Sequence, residues 1–443
     1  VKWMVYKSIF PTFVQNINLG QMTESERKQI IALIQREVIP AIGCTEPIAV
    51  AYAAAVAVQA LGEKPESVEV NVSANIIKNV KSVVVPCTGG LRGIGAAVCA
   101  GIVAGCPEKE LEILEEITGE QKVEMKKMLD TMPMTIRESD KEYIFDIQIK
   151  ACAGGHSGYV EIAGFHTNVI CVKKDDEIIR EKAYEEQGSS CATDRSLLTV
   201  EKIIEFADCV DVADVEEVLQ RQIDYNWAIA EEGMTGKWGA AIGKTLMEAY
   251  GNSVHNRAKA MAAAGSDARM NGCELPVVIN SGSGNQGMTT SLPVIVYAKE
   301  LNVSKEMMLR ALVVSNLITI HMKTGIGRLS AYCGAISAGC GAGAGICYLY
   351  GGRAYEISHV IVNAVAINSG VVCDGAKASC AAKIASAVEA GLLGLQMQKN
   401  GKQFYGGDGL VEKGVENTIR NIGELAKKGM RETDKTIIQI MTR

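Results

Sequence analysis

The feature that most constrains the fold is a change of hydrophobic period along the chain. Alternation of apolar and polar residues predicts strands at 67–73, 143–150, 159–163 and 167–172, with a hairpin turn at 174–177. Between these strands, residues Gly93 to Ala104 and Glu108 to Met132 read as helices. Beyond about residue 197 strand signals nearly vanish and helical periodicity dominates. Strands confined to one internal stretch predict an α+β fold, in which an α/β domain with a largely antiparallel sheet is inserted into a mainly helical domain.

The same change of period predicts the domain boundaries. Residues 1–63 and 196–443 form the helical domain, which we expect to carry the chemistry, and residues 64–195 form the inserted α/β domain. Residues 1–21 read as an atypical leader, because they lack a clean signal-peptide core with a small-residue cleavage site. Met22 precedes a capping box, Thr23 to Glu26, that opens the first clear helix.

Composition narrows the class of protein. Hydrophobic residues make up 48% of the chain but aromatic residues only 5%, and there are 45 glycines, so we expect closely packed helices with small contact residues. A net charge of −6 argues against binding to nucleic acid or to an anionic membrane surface. The apolar runs are also well short of the roughly 20 residues that span a bilayer.

Fourteen cysteines are a high number for a chain without a secretion signal. Reduced thiols or metal ligands in the cytoplasm are therefore favoured over disulfides. We expect most of these cysteines to be small core residues, in particular Cys99, Cys106, Cys171, Cys209 and Cys347.

Cys44 lies in the turn Gly43-Cys44-Thr45-Glu46-Pro47, at the expected start of a helix. Unpaired amides and the helix dipole favour a thiolate there, whereas Glu46 opposes it. Such a thiolate can be a base, a nucleophile or a metal ligand, and an incidental thiol in a turn is the alternative.

A second group of cysteines comes late in the chain. Cys373 and Cys380 are seven residues apart, which predicts one face of a single helix, and Cys333 precedes a Gly-rich stretch. Three thiolates without a nearby histidine suit an iron–sulfur cluster better than zinc, which more often uses close C-x2-C pairs. Cys340 competes with Cys333 as a ligand, and buried thiols in an Ala/Gly-rich bundle are the alternative.

Residues 280–287 form a Gly-rich turn that leads into a helix. Backbone amides in such a turn bind a carboxylate or a phosphate. The turn lacks the Lys-Ser/Thr ending of a P-loop, so nucleotide binding is disfavoured. The residues expected to hold a small substrate are Asn280, Ser281, Gly282, Ser283, Gly284 and Asn285, together with Lys323.

Other residues could bind a carboxylate or move a proton, although turn formation or surface charge also explains each of them. These are His156 in Gly154–Ser157, His321, Lys78 and Arg92.

As an ordered set these motifs resemble the L-cysteine desulfidase family, which is related to the α-chain of iron–sulfur L-serine dehydratases. The resemblance covers nearly the whole chain from about Met22. It rests on residues 43–47, on 280–287, on 323–328 leading to Cys333-Gly334, and on 373–377 with Cys380.

The resemblance implies an oxygen-sensitive [4Fe–4S] cluster held by Cys333, Cys373 and Cys380, with one iron open to substrate, and Cys44 as the proton acceptor. It further implies α,β-elimination from a small amino acid, most specifically L-cysteine to pyruvate, ammonia and sulfide, by a cytoplasmic homodimer. Loss of water from L-serine, a pyridoxal-phosphate lyase, and a non-catalytic cysteine or sulfide sensor are the alternatives.

Overall fold

The computed structural model describes residues 22–141, 143–184, 195–327 and 329–442. The predicted leader, residues 1–21, and Arg328 of the 323–328 motif lie outside the described residues.

Helices dominate the described chain. They are α1 Glu24–Glu37, α2 Thr45–Leu61, α3 Ala74–Val80, α4 Gly93–Ala104, α5 Gly119–Thr131, α6 Val200–Cys209, α7 Ala213–Met234, α8 Ile242–Tyr250, α9 Val254–Met270, α10 Gly284–Leu301, α11 Lys305–Ile326, α12 Gly334–Leu349, α13 Ala354–Asn368, α14 Cys380–Lys399, α15 Val415–Glu424 and α16 Arg431–Thr442. The strands are β1 Pro40–Ile42, β2 Ser67–Val72, β3 Met134–Glu138, β4 Asp146–Ala153, β5 His156–Ala163, β6 Val169–Lys174, β7 Glu177–Glu181 and β8 Pro276–Val278.

Six of these strands form one sheet in the order β3-β2-β4-β5-β6-β7. Every neighbouring pair is antiparallel except β2 and β3, which run parallel. Val70 lies opposite Ile149, and Ile149 opposite Val160, so one face of the sheet is apolar. The predicted α+β class with a largely antiparallel sheet is confirmed, whereas β3 and the short β1–β8 pair were not predicted.

Helix α2 covers the apolar face of the sheet. A Cβ atom on Gly101 of α4 would lie 1.9 Å from Ala51 O, and one on Gly158 of β5 would lie 2.1 Å from Ala57 O. The two glycines therefore let α4 and β5 approach opposite sides of α2. The predicted boundary at residue 64 assigned this helix to the helical domain, but its side chains share a core with the sheet. The domain division itself stays a prediction.

Helix α12 lies at the centre of the helical part, and its residues from Ala335 to Leu349 are buried. It packs against α10, α11, α13 and α14. A Cβ atom on Gly339 would lie 2.2 Å from Ala387 O in α14, so that small residue fixes the spacing of the two helices. No helix in the described ranges is long and apolar enough to cross a membrane.

Two sequence predictions about local structure are wrong. The single helix predicted from Glu108 to Met132 is broken, because Glu110 adopts φ +45° and Thr118 starts a new helix with a capping box to Gln121. Cys106 and Cys209, expected in the core, are exposed, whereas Cys99, Cys171 and Cys347 are buried.

We predict that Gly339→Val destabilises the protein by about 1–3 kcal/mol or more, because the added side chain overlaps the α14 backbone. Thermal or denaturant unfolding measures the effect. Gly119→Ala is the matched control, since a Cβ atom there meets no atom within 4 Å. An unchanged stability of Gly339→Val would contradict the close packing of α12 on α14.

Candidate active site

One buried cavity of about 110 Å³ brings together residues from distant parts of the chain. Pockets for drug-sized ligands measure roughly 300–1,000 Å³, so this one suits a small molecule. Its lining includes all four thiols singled out by the sequence, namely Cys44, Cys333, Cys373 and Cys380, together with Ser281, Gly282, Ser283, Asn285 and Lys323 of the predicted substrate-binding set.

Four helices begin at this cavity. Cys44 is the N-cap of α2, Ser283 is the N-cap of α10, Cys333 is the N-cap of α12, and Cys380 is the first residue of α14. The first amides of a helix have no partner within the helix, and its N-terminus carries partial positive charge. The convergence therefore favours anions in the cavity, whether thiolates, a carboxylate or a negatively charged metal cluster.

A short antiparallel ladder holds Cys333 beside Cys373. The amide of Cys333 donates to Val371 O at 3.1 Å, and the amide of Cys373 donates to Ala331 O at 2.6 Å. Tyr332 and Val372 pair between them. The two thiols thus come from loops tied together by backbone bonds, although they are 40 residues apart in sequence.

Cys373 and Cys380 do not share a helix, so that prediction is wrong. Cys373 lies in a loop, and α14 begins at Cys380. Gly375 between them adopts φ +89°, and a Cβ atom there would lie 2.4 Å from Lys78 O. Lys383 of α14 ties the loop to the helix by donating to Val372 O at 2.8 Å and by pairing with Asp374.

The Cys44 thiol is protonated rather than ionised. Its Sγ atom donates to Glu46 Oε2 at 3.2 Å. Burial, followed by the Glu46 carboxylate, raises the pKa of Cys44 well above that of a free cysteine, and Arg269 offsets this only in part. The helix start that the sequence predicted is present, but burial outweighs its effect on the thiol.

Glu46 is held in turn by two further donors. Thr45 Oγ1 lies 3.2 Å from Glu46 Oε2, and Asn79 Nδ2 lies 3.3 Å from Glu46 Oε1. The amide of Asn79 and the thiol of Cys44 donate to this carboxylate, whereas the Thr45 hydroxyl shares its one proton between Glu46 and Gly282 O.

Arg269 joins the Cys44 turn to the Gly-rich turn. Its Nε donates to Gly43 O at 2.8 Å, and its Nη1 donates to Asn285 Oδ1 at 3.1 Å. Thr45 Oγ1 also donates to Gly282 O at 3.0 Å. These bonds fix the starts of α2 and α10 relative to each other.

Basic side chains outnumber acidic ones in the described lining. Glu46 is the acidic residue, and Lys78, Arg269, Lys323 and Lys383 are the basic ones. Lys78 is almost fully buried and pairs with Asp434 of α16 at 2.5 Å, so α16 neutralises part of this charge. The basic side chains thus add to the partial positive charge of the helix N-termini.

Several sequence candidates lie elsewhere. Asn280 is buried behind the turn, where its Nδ2 donates to Asn316 Oδ1 at 2.9 Å. A Cβ atom on Gly284 would lie 2.3 Å from Arg269 Nε, so Gly284 makes room for that arginine. Cys340 is buried within α12 and does not line the cavity.

Of the other residues that the sequence analysis named as possible carboxylate binders or proton carriers, three pair with local partners outside the cavity. His156 lies in an open groove on the sheet and pairs with Asp175 at 3.0 Å. His321 pairs with Glu416 at 2.7 Å, and Arg92 donates to Ser82 O at 2.7 Å. Of this group, only Lys78 reaches the thiol-lined cavity.

The thiols of the cavity suit a metal cluster better than a single metal ion. Among the described residues, no three His, Cys, Asp or Glu side chains lie close enough together to hold a single ion. A cubane cluster spreads its thiolate ligands farther apart than one ion does, and three thiols around one positive cavity match its donor chemistry. Burial and Cys373 raise the pKa of Cys333 to about 12, so metal binding there would displace a thiol proton.

The fold and this cavity define an α+β protein with a buried, thiol-lined site built on helix N-termini. A family model described as the serine dehydratase alpha chain matches residues 108–439. The chain belongs to the serine dehydratase alpha chain family.

Close relatives carry the name UPF0597 protein. One from Desulfitobacterium hafniense is 58% identical over 409 residues, covering 92% of this chain and 95% of the relative. One from Lachnoclostridium phytofermentans is 50% identical over 417 residues, covering 94% and 99%. One from Treponema denticola is 42% identical over 427 residues, covering 95% and 99%.

Sequence reasoning missed Arg269, Asn79, Tyr332 and Lys383 as members of the site. Arg269 had one detectable signal, because it follows Asp267 just after the small-residue run 262–266, and buried charges need partners. The other three lie beside motif residues but show no distinctive spacing.

We predict that Cys44 in the metal-free protein is alkylated slowly near neutral pH, because its raised pKa keeps the thiol protonated. Glu46→Gln removes the like charge, so the midpoint of its labelling curve shifts to lower pH but stays above that of a free cysteine. Mass spectrometry of the labelled peptide across a pH series measures both curves, with exposed Cys106 as the internal reference. A midpoint that rises in Glu46→Gln would contradict the assigned electrostatics.

Proposed function

We propose that this chain is an iron–sulfur-dependent lyase that eliminates the β-substituent of a small amino acid, and that its substrate is L-cysteine, which yields pyruvate, ammonia and sulfide. The observation that carries the proposal is the meeting of Cys44, Cys333, Cys373 and Cys380 with the Gly-rich turn in one positive cavity. Membership of the serine dehydratase alpha chain family supports the lyase class.

The family description also favours a second candidate, which is loss of water from L-serine by the same arrangement. Both reactions break a Cα–H bond and expel a β-group, so they need the same base and the same anion site. They differ in the leaving group, and product analysis with each amino acid separates them.

In this proposal Cys333, Cys373 and Cys380 hold a [4Fe–4S] cluster. When bound, a cluster with one iron free of protein ligands supplies a Lewis acid at the β-leaving group. The partial positive charge of the helix starts suits the negative charge of such a group with three thiolate ligands.

The Gly-rich turn orients the substrate. The turn lines the cavity, where the unpaired amides at the start of α10 and the hydroxyl of Ser283 can bind the α-carboxylate, whereas the Ser281 hydroxyl donates to Asn280 Oδ1 at 2.9 Å. A carboxylate held there has its α-carbon at a fixed distance from Cys44, because Arg269 ties the two turns together.

Proton transfer begins with the thiol of Cys44, which is protonated at rest. Glu46 accepts the Sγ proton across 3.2 Å, and the resulting thiolate accepts the Cα proton of the substrate. The Cα–H electron pair forms the Cα–Cβ double bond, the Cβ–S bond breaks, and the sulfur leaves with that electron pair as hydrosulfide. Glu46 then releases its proton to water, which restores the carboxylate. The aminoacrylate then tautomerises and is hydrolysed by water to pyruvate and ammonia.

We predict that Cys373→Ala loses the cluster, because one of its three thiolates is removed. Anaerobic reconstitution with iron and sulfide quantification should give about four of each per chain for the wild type and far less for the variant. Cys340→Ala is the matched control and should retain them, since that thiol lies outside the cavity. Full loading of Cys373→Ala would contradict the ligand assignment.

We predict that Cys44→Ala keeps the cluster but loses turnover by about 10²–10⁴-fold, the usual contribution of a general base. Pyruvate and sulfide release from L-cysteine and L-serine measure the activity, and the visible spectrum reports the cluster. Loss of iron in Cys44→Ala would make that thiol a ligand and overturn the division of roles. A cluster-loaded wild type that releases no pyruvate would leave only a binding role.

The same preparation tests the pyridoxal-phosphate alternative. A broad visible band bleached by dithionite supports the cluster. A sharper band removed by hydroxylamine, in a protein without iron, would overturn the iron–sulfur proposal.

A further inference from the structure

An amino-acid substrate brings a cation as well as an anion, and the cavity is built mainly for the anion. Four helix starts and the side chains of Lys78, Arg269, Lys323 and Lys383 disfavour an α-ammonium group. Binding it therefore requires an oxygen acceptor that is not already engaged.

Most side-chain acceptors in the lining are occupied. Glu46 accepts from Cys44 and Asn79 and shares the proton of Thr45 with Gly282 O. Asn285 Oδ1 accepts from Arg269, and Ser283 Oγ caps the amide of Gln286 at 3.5 Å. These groups hold the protein's own turns together.

Gln286 differs from these residues because its side-chain oxygen atom is not engaged by any described residue. It is the third residue of α10, only 5% of its surface is exposed, and it lines the cavity. Its Oε1 atom is buried and has no hydrogen-bond partner among the described residues. A buried carbonyl oxygen without a partner carries a free-energy cost, which a donor in the bound ligand would remove.

The position of the Gln286 amide is set by packing. A Cβ atom on Gly334 would lie 2.8 Å from Gln286 Cδ, so the amide rests on the first residue of α12, directly after Cys333. This places it between the Gly-rich turn, which faces the carboxylate, and the thiols, which face the β-group. The α-substituent of a bound amino acid lies between those two ends.

Tyr332 also lines the cavity and is 1% exposed, and its buried hydroxyl group has no hydrogen-bond partner within the described part of the chain. A neutral phenol is a better donor than acceptor, so its natural partner is an anionic group. The carbonyl of Gln286 can only accept, and the ammonium can only donate.

We infer that Gln286 is a specificity-determining residue whose Oε1 accepts a hydrogen bond from the substrate α-ammonium. The inference rests on the proposed function, since it assumes an amino-acid substrate. It assigns to Gln286 the discrimination between amino acids and carboxylic acids without an amino group.

The test compares L-alanine with propionate, which differ by the ammonium alone and carry no leaving group. Calorimetric titration of the anaerobic, iron-loaded protein gives both affinities. Gln286→Met keeps the size of the side chain but removes the acceptor. We expect it to weaken L-alanine binding by about 10- to 100-fold, as for a hydrogen bond to a charged group, and to leave propionate binding unchanged.

Two further variants separate recognition from structural damage. Gln286→Asn retains a neutral amide oxygen on a side chain one methylene shorter, and it should restore part of the L-alanine binding that Gln286→Met loses. Gln398→Met is the matched control, because Gln398 also has a buried, unpartnered Oε1 but lies outside the cavity, and it should leave both affinities unchanged. Gln286→Met should unfold at the wild-type temperature or above it, since it removes an unpartnered acceptor.

Each outcome is decisive. Equal loss of L-alanine and propionate binding in Gln286→Met, or no loss of either, overturns the inference while leaving the proposed elimination intact. A wild type that binds no amino acid overturns both the inference and the proposed substrate class.

Discussion

The structure depends on one electrostatic constraint, which is the meeting of four helix N-termini at a single buried cavity. Cys44, Ser283, Cys333 and Cys380 stand at or beside those helix starts. Buried partial positive charges without a counterion are unfavourable, so the cavity is stabilised when it holds negative charge. The lining residues can bind two kinds of negatively charged group there: the carboxylate of a small molecule, and a metal group that is held by the cysteine thiolates.

Close packing of small residues makes this convergence possible. Gly339 lets α12 approach α14, and Gly101 lets α4 approach α2, each at distances that a side chain would forbid. Helices that begin at the cavity are therefore held in place by close packing along their length, and not only by contacts at their ends. The low aromatic content, 5% of the chain, follows from the same requirement. Close packing at these glycines therefore contributes both to the stability of the protein and to the relative positions of its helices.

The sequence predicted what depends on local chemistry. The capping box identified the start of α1, the position of Pro47 identified that of α2, and alternation identified most of the sheet. Prediction from the sequence failed where a tertiary contact determines the conformation. Spacing suggested a helix through Cys373, but Gly375 turns the chain there against Lys78 O. The pKa of Cys44 likewise depends on burial and on Arg269, which is 225 residues away in sequence (269 − 44).

The excess of positive charge also explains why a neutral acceptor suits the recognition of an amino group. A second free carboxylate in the lining would pair with Arg269 or Lys383 and withdraw the charge that the substrate carboxylate and the thiolates need. It would also share the cavity with Glu46, and two carboxylates in one small site repel each other. The amide of Gln286 accepts a hydrogen bond without either effect. Its unpartnered oxygen in the free protein is the consequence, because an acceptor that is satisfied in advance cannot distinguish ligands.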